Sequence, residues 1–341
     1  MTDERNQQDV PPEPSEVADL RLEAQGELST LAGNWGARLA SFDAASAGGV
    51  AGEQRSLLQD AGRRFARNRS AMVGLFVLLV YVILAIFVPI LQDTAPATAI
   101  DYDNKQLSPS WAHPFGTDPQ GRDIWLRAWI GARISLSIAF TVSLVILAVG
   151  ITYGAVSGYV GGRVDSTMMR FLDALYGLPY LPFAIIMVSV LSSKFPDAPP
   201  IVYMVPALSI TAWFTAARIM RGQMLSLKQN DFVEGARAAG ANGFRIVFRH
   251  VVPNTIGVMI VVIFLEVPNA ILGEAFLSFL GRGVQPPDPS WGVLAQNGYT
   301  YADAQPPLLW VPALLIASTV LAAIAVADGL RDALDPRGQV H

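Results

Sequence analysis

Five stretches of this chain run for about twenty residues or more without an Asp, Glu, Lys or Arg: Ser70–Gln92, Ile134–Gly162, Ala174–Ser193, Ala198–Ala217 and Ala304–Ala327. A sixth, roughly Thr255–Leu280, is as apolar apart from Glu266 and Glu274. A helix that crosses a bilayer needs about 20 apolar residues, and a charge at its centre costs a few kcal/mol, so such windows arise where lipid demands them. Backbone groups in hydrocarbon must be satisfied within the segment, so the windows are read as helices. The expected fold is all-α, a polytopic membrane protein with six transmembrane helices at about residues 70–92, 134–157, 174–193, 198–217, 255–280 and 306–327. Composition agrees: 15% of the 341 residues are charged, against about a quarter in soluble domains.

What lies outside the windows narrows the function. The chain has no Cys and three His, so a thiolate metal site is excluded and no His pair sits at helical spacing. No GxxxxGK[ST] segment is present, so ATP hydrolysis by a P-loop is not expected in this chain. Residues 1–56 hold ten Asp/Glu and four Arg, a sum of −6, which leaves +2 of the net −4 for residues 57–341. That acidic, Ala/Gly/Ser-rich segment reads as a disordered tail, with Leu20, Leu28, Leu31 and Leu39 offering at most a marginal amphipathic helix. Residues 57–341 read as the transmembrane domain.

Orientation follows from basic residues near the spans. With the N-terminus inside, Arg63, Arg64, Arg67, Arg69, Arg163, Arg170, Arg218, Arg221, Lys228, Arg237, Arg245, Arg249, Arg331 and Arg337 are cytoplasmic, whereas Lys105, Arg122, Arg127, Arg133, Lys194 and Arg282 are external. Fourteen against six places both termini in the cytoplasm. The segment DFVEGARAAGANGFRIVFRHVVPN, residues 231–254, is then a cytoplasmic loop between the fourth and fifth spans.

That loop is dense in helix signals. Asp231 and Glu234 have capping-box spacing, and Gly240 is placed to end a helix over about 232–239. Asn242 can cap a second helix, on which Phe244, Val247, Phe248 and Val251 form an apolar stripe. Pro253 leads into the fifth span. Gly235, Ala236, Ala238 and Ala239 are small enough to let another surface approach the first helix closely, so the loop reads as a docking knob.

The pattern Glu-x-Ala-x-x-x-Gly beginning at Glu234 resembles the EAA cytoplasmic loop of ABC importer permeases, with Gly235, His250 and Val252 departing from the usual Ala, Ile and Leu. The stretches HPFGTDPQGRDIWLRAWIGARISL (113–136), RFLDALYGLP (170–179), GEAFLSFLGRGVQPPDPSWGVLAQNG (273–298) and GLRDALDPR (329–337) resemble the dipeptide, oligopeptide and nickel permease family. The resemblance covers residues 57–341 and implies a multi-pass subunit of a bacterial-type cell membrane. It implies half of a translocation path for peptides, shared with a second homologous permease. Two ATPase subunits or domains that bind ATP and Mg, and an extracytoplasmic substrate-binding protein, would complete the system, with no nucleic acid involved. Asp231, Glu234, Gly235, Ala236, Ala239, Gly240 and Pro253 would couple to the ATPase. Nickel or another small solute stands as the alternative cargo. A stand-alone carrier or channel is the alternative class, for which no inverted repeat is visible.

Two clusters of polar residues complete the reading. Glu266, Asn269 and Gly273 recur at i, i+3 and i+7 beside Pro268, so they share a face of the fifth span, suited either to a translocation path or to pairing with a neighbouring helix. Glu274 lies nearer the outer boundary. In the external segment His113, Asp118 and Asp123 are read as turn and cap residues rather than as a metal site, with Asp118–Gly121 forming a turn. Pro179 and Pro182 are expected to kink the third span, and Arg170 and Asp173 to pair at its inner end.

Overall fold

Five of the six apolar windows lie, to within a few residues, in single helices, four of which run through a proline, at Pro89, Pro206, Pro268 and Pro312. The structure is a computed structural model and describes residues 57–334; the tail with its leucines, and Arg337, lie outside them. In chain order the helices are α1 (Leu57–Arg67), α2 (Arg69–Leu91), α3 (Ile124–Val160), α4 (Gly162–Tyr176), α5 (Tyr180–Lys194), α6 (Ile201–Leu227), α7 (Asp231–Ala238), α8 (Gly243–Phe279), α9 (Trp291–Thr300) and α10 (Pro306–Leu334). No strand forms among the described residues, only one isolated bridge between Thr117 and Asp123.

Five of these helices, α2, α3, α6, α8 and α10, are long and apolar enough to cross a membrane. The third expected span differs from the others. Its window is divided between α4 and α5, which meet at an angle of 84°. The break falls at Gly177–Pro179, where Pro179 removes an amide and pushes Leu178 out of helical geometry. At 1.5 Å per residue, the 15 residues of α5 reach about 22 Å, short of a hydrocarbon core of about 30 Å. The expected kink is therefore a full corner, and the bent pair counts as a sixth span only if taken as one.

α3 overshoots its window in the other direction. It begins at Ile124, ten residues before the charge-free stretch, because Asp123 caps it through a hydrogen bond from the Leu126 amide (2.9 Å). This early portion packs Trp129 edge-on against Tyr81 of α2, with centroids 5.7 Å apart, and carries Arg127, whose Nη1 donates to the Ala97 carbonyl at 2.8 Å. The expected turn is present, closed by the Gly121 amide on the Asp118 carbonyl (2.8 Å). Asp118 also takes both Nε and Nη2 of Arg122 at 2.7 Å, and Asp123 Oδ2 lies 2.6 Å from His113 Nδ1. Of the three expected turn and cap residues, His113 and Asp123 are thus engaged with each other and Asp118 with Arg122.

The core is the seam between α3 and α6. Gly150, Gly154 and Gly158, one per turn of α3, face Ala216, Ala217, Met220 and Met224 of α6. A Cβ at Gly154 would sit 2.2 Å from the Ala217 carbonyl oxygen. The absent side chains let the backbones touch, which is how helices associate where lipid offers no hydrophobic contrast. Elsewhere apolar side chains point outward: Phe76, Ile83 and Ile90 of α2 and Leu314 and Leu321 of α10 are exposed, as lipid-facing positions should be.

Candidate functional site

The loop between α6 and α8 is built by short-range chemistry. α7 spans eight residues, too few to hold helical shape alone. Its N-cap is Asn230, without a side-chain cap bond. This corrects the capping box: Asp231 and Glu234 both stand in the first turn, where their charge meets the positive helix end instead. The C-terminus matches expectation. Gly240 adopts φ +83°, its amide donates to Arg237 O and the Ala241 amide to Ala236 O, both at 3.0 Å. Those paired bonds form the Schellman arrangement, in which a left-handed glycine turns the chain back on the last helical carbonyls.

One side chain anchors α7: Val233 is fully buried in a cluster with Val247, Val251, Met220 and Met224. Asp231, Glu234, Gly235, Arg237, Ala238, Ala239 and Gly240 are exposed, and a Cβ at Gly235 or Gly240 would meet nothing within 4 Å. Ala236 differs from the other small residues, being half-buried on the side that faces Val233. The open face is therefore Gly235, Ala238 and Ala239, spaced i, i+3 and i+4.

The expected second helix is not separate. Asn242 Oδ1 accepts from the Arg245 amide at 2.9 Å and starts a helix that runs unbroken to Phe279. Over Ile246–Val251 the helix widens to π geometry, with the Val252 amide reaching back to Val247 O. Pro253 supplies the reason: its ring would strike the carbonyl four residues back, that of Arg249, and the wider turn relieves this. The widening rotates the stripe, so that Ile246, Val247 and Val251 are buried while Phe244 is exposed, its ring 4.6 Å from that of Phe248.

A clamp that the sequence reading missed joins the ends of α3, α4 and α6, the last of which leads into this loop. Asp165, at the start of α4, accepts from Arg221 Nε and Nη2 of α6, each at 2.5 Å, and from Ser157 Oγ of α3. Lys228 Nζ donates to Gly158 O at 2.8 Å. The bidentate fork joins three helices next to α7. Only a three-dimensional register brings residues 157, 165 and 221 together, so spacing gave no signal. The expected Arg170–Asp173 pair is also replaced: Asp173 takes Arg218 Nη2 of α6 at 2.6 Å, and Arg170 is exposed.

The second candidate region is a cavity of about 970 Å³ bounded by α3, α4, α5, α6 and α8, with Ala295 of α9 and Ile316 of α10, at the upper end of the size of small-molecule sites. Glu266, Asn269 and Gly273 all line it, together with Tyr176 and Tyr180 from either side of the α4–α5 corner. Glu266 is half-buried and accepts a long hydrogen bond from Asn269 Nδ2 at 3.4 Å. Gly273 leaves room for the Tyr180 hydroxyl, which would lie 3.2 Å from a Cβ there. Glu274, one residue on, points away into a dry hub. It is fully buried and accepts from Ser135 Oγ (2.8 Å) and Ser278 Oγ (2.7 Å), while Ser135 Oγ also accepts from the Trp291 amide. That hub ties α3, α8 and α9 and was not visible from sequence, where Glu274 had no partner at helical spacing except Ser278. No group of three or more His, Asp or Glu suited to a metal ion occurs among the described residues.

The family model described as binding-protein-dependent transport system inner membrane component matches residues 150–339, and that of the N-terminal TM domain of oligopeptide transport permease C matches residues 56–109. The chain is 42% identical over 283 residues to the dipeptide transport system permease protein DppC of Bacillus subtilis, covering 83% of this chain and 86% of that protein. It is 43% identical over 289 residues to the oligopeptide transport system permease protein OppC of Salmonella typhimurium, covering 84% and 93%. A solved structure of the MetNI methionine ABC transporter in an inward-facing conformation aligns with a TM-score of 0.47 at 18% identity, over 60% of this chain and 96% of that one.

Proposed function

Because the chain belongs to the family of binding-protein-dependent transport system inner membrane components, we propose that it works as one half of the membrane path of an ATP-driven peptide importer. It is a transport permease of a bacterial membrane rather than a catalyst. The cargo reading rests on relatives named for dipeptide and oligopeptide transport, with nickel or another small solute as the alternative. A second permease of similar sequence closes the open side of the cavity lined by Glu266, Asn269 and Gly273. Two ATPase subunits, which carry ATP and Mg, sit beneath α7, and an extracytoplasmic binding protein delivers substrate to the opposite end. Both termini face the cytoplasm, on the strength of the basic asymmetry.

One observation carries the coupling role: α7 is fastened to its own subunit through Val233, with Ala236 half-buried on the same side, while Gly235, Ala238 and Ala239 form an unobstructed face. A rod held on one side and open on the other suits a lever. Closure of the ATPase pair on ATP would displace α7, and the Asp165–Arg221 clamp would pass that displacement to α3, α4 and α6, rocking the path between inward-open and outward-open.

Affinity capture of the full chain from its own membranes, followed by reconstitution in proteoliposomes, tests this reading. The captured complex should contain a second permease and two ATPase domains, and should take up a di- or oligopeptide only with ATP and the binding protein present. Cys placed at Gly235 or Ala239 should cross-link to the ATPase. Uptake without ATP, or no cross-link from either position, would overturn the importer assignment or the docking face respectively.

A further inference from the structure

Among the described residues that line the cavity, Glu266 alone carries a charge. The remaining lining is apolar apart from Asn269 and the hydroxyls of Tyr176, Tyr180, Thr211 and Thr215. A carboxylate held half-buried in such a place gains little solvation and finds no Lys or Arg on the cavity wall. Asn269 Nδ2 donates to it at 3.4 Å. The buried carboxylates among the described residues are committed: Asp165 to Arg221, Asp118 to Arg122, Asp123 to His113 and the Leu126 amide, and Glu274 to Ser135 and Ser278. Glu266 is left facing open space.

From this geometry we propose that Glu266 is a charge-selective waypoint of the path. Its carboxylate receives a cationic side chain, such as the ammonium of a lysine, as the substrate crosses the cavity, and Asn269 supplies a neutral hydrogen-bond partner beside it. The cavity wall around them is apolar, so a cation gains from the carboxylate what it loses in water, whereas an anionic side chain meets like charge at low dielectric. Asn269 and the hydroxyls can serve the peptide's amides without regard to sequence. The chain would thus add a preference for cationic over anionic cargo to whatever the separate binding protein selects. This inference rests on the permease reading above.

The test compares substrates on one complex. Wild-type, Glu266→Gln and Glu266→Asp complexes, each with its co-purified partners, are reconstituted in vesicles and supplied with labelled Ala-Lys-Ala or Ala-Glu-Ala at saturated binding protein. The binding protein is a separate polypeptide, so delivery is identical for all three. Glu266→Gln should lower the ratio of Ala-Lys-Ala to Ala-Glu-Ala uptake by about tenfold, equivalent to about 1.4 kcal/mol, while Glu266→Asp retains most of it. An unchanged ratio in Glu266→Gln overturns the waypoint and leaves the permease reading standing. Loss of the partner permease from the Glu266→Gln complex would also overturn it, because the carboxylate would then be an interface group. If the wild-type complex takes up neither peptide, the failure lies in the peptide reading itself and the waypoint falls with it.

Discussion

Replacing Gly240 with Val isolates the backbone's share in coupling. A side chain at this position touches nothing within 4 Å, so sterics outside the residue contribute nothing, yet φ is +83°. A β-branched residue held in the left-handed region costs on the order of 1–3 kcal/mol. Relaxing that strain would break the two 3.0 Å bonds to Arg237 O and Ala236 O, each contributing about 1 kcal/mol net. On the other side of the balance stands Val233, whose burial contributes about 1.5–3 kcal/mol. The strain therefore roughly equals the one tertiary anchor of α7, and the helix should pass from mostly formed to substantially open. Hydrogen exchange over residues 231–239 should lose most of its protection in Gly240→Val, and peptide-stimulated ATP hydrolysis and uptake should fall together. Gly240→Asn, which tolerates positive φ, should lie between Val and wild type. Gly235→Ala is the internal control: the site is open and helical, so it should be neutral or stabilise α7 by about 0.5–1 kcal/mol. Full protection and full uptake in Gly240→Val would refute the reasoning.

Two further outcomes follow from the packing. Arg221→Gln leaves Asp165 with Ser157 as its remaining side-chain partner and should lower thermal stability by about 2 kcal/mol, less than the ~3–5 kcal/mol of a fully buried pair because the Arg221 side chain is 33% exposed; an Asp165→Arg, Arg221→Asp exchange should recover part of it, and an unshifted melting curve for the single variant would contradict the clamp. Single Cys at Ser110 and Asp303, both exposed, should react with an impermeant thiol reagent from outside, and Cys at the exposed Ser226 only after permeabilisation, with the reverse pattern refuting the orientation.

What could be read from the chain is what depends on neighbours in sequence. Charge-free windows marked the spans, Gly240 marked a stop because no other residue enters its conformation as cheaply, and Glu266, Asn269 and Gly273 were placed together by helical periodicity alone. What escaped depended on third-party geometry. The capping box failed because Asn230 took the cap position one residue early, which displaced Asp231 into the helix. Asp173 chose Arg218 over Arg170, since a partner on a packed helix competes with one on its own. The corner at Gly177–Pro179 looked like a kink because apolarity continues across it, and hydropathy carries no information on direction. The π turn before Pro253 required knowing that the helix continues through a proline. Ala236 was grouped with its small neighbours by size, although its angular position puts it on the buried side.

The Glu274 hub bears on how the protein is made. A carboxylate at this depth of α8 enters the bilayer at a cost of a few kcal/mol if it arrives alone. Ser278 travels on the same helix, but Ser135 lies 139 residues earlier and so is already in place, on α3, when α8 emerges. Trp291, whose amide completes the hub through Ser135, comes 17 residues after Glu274 and seals it from the far side. In chain order the hub's groups thus appear host first, then the carboxylate with Ser278, then the Trp291 amide.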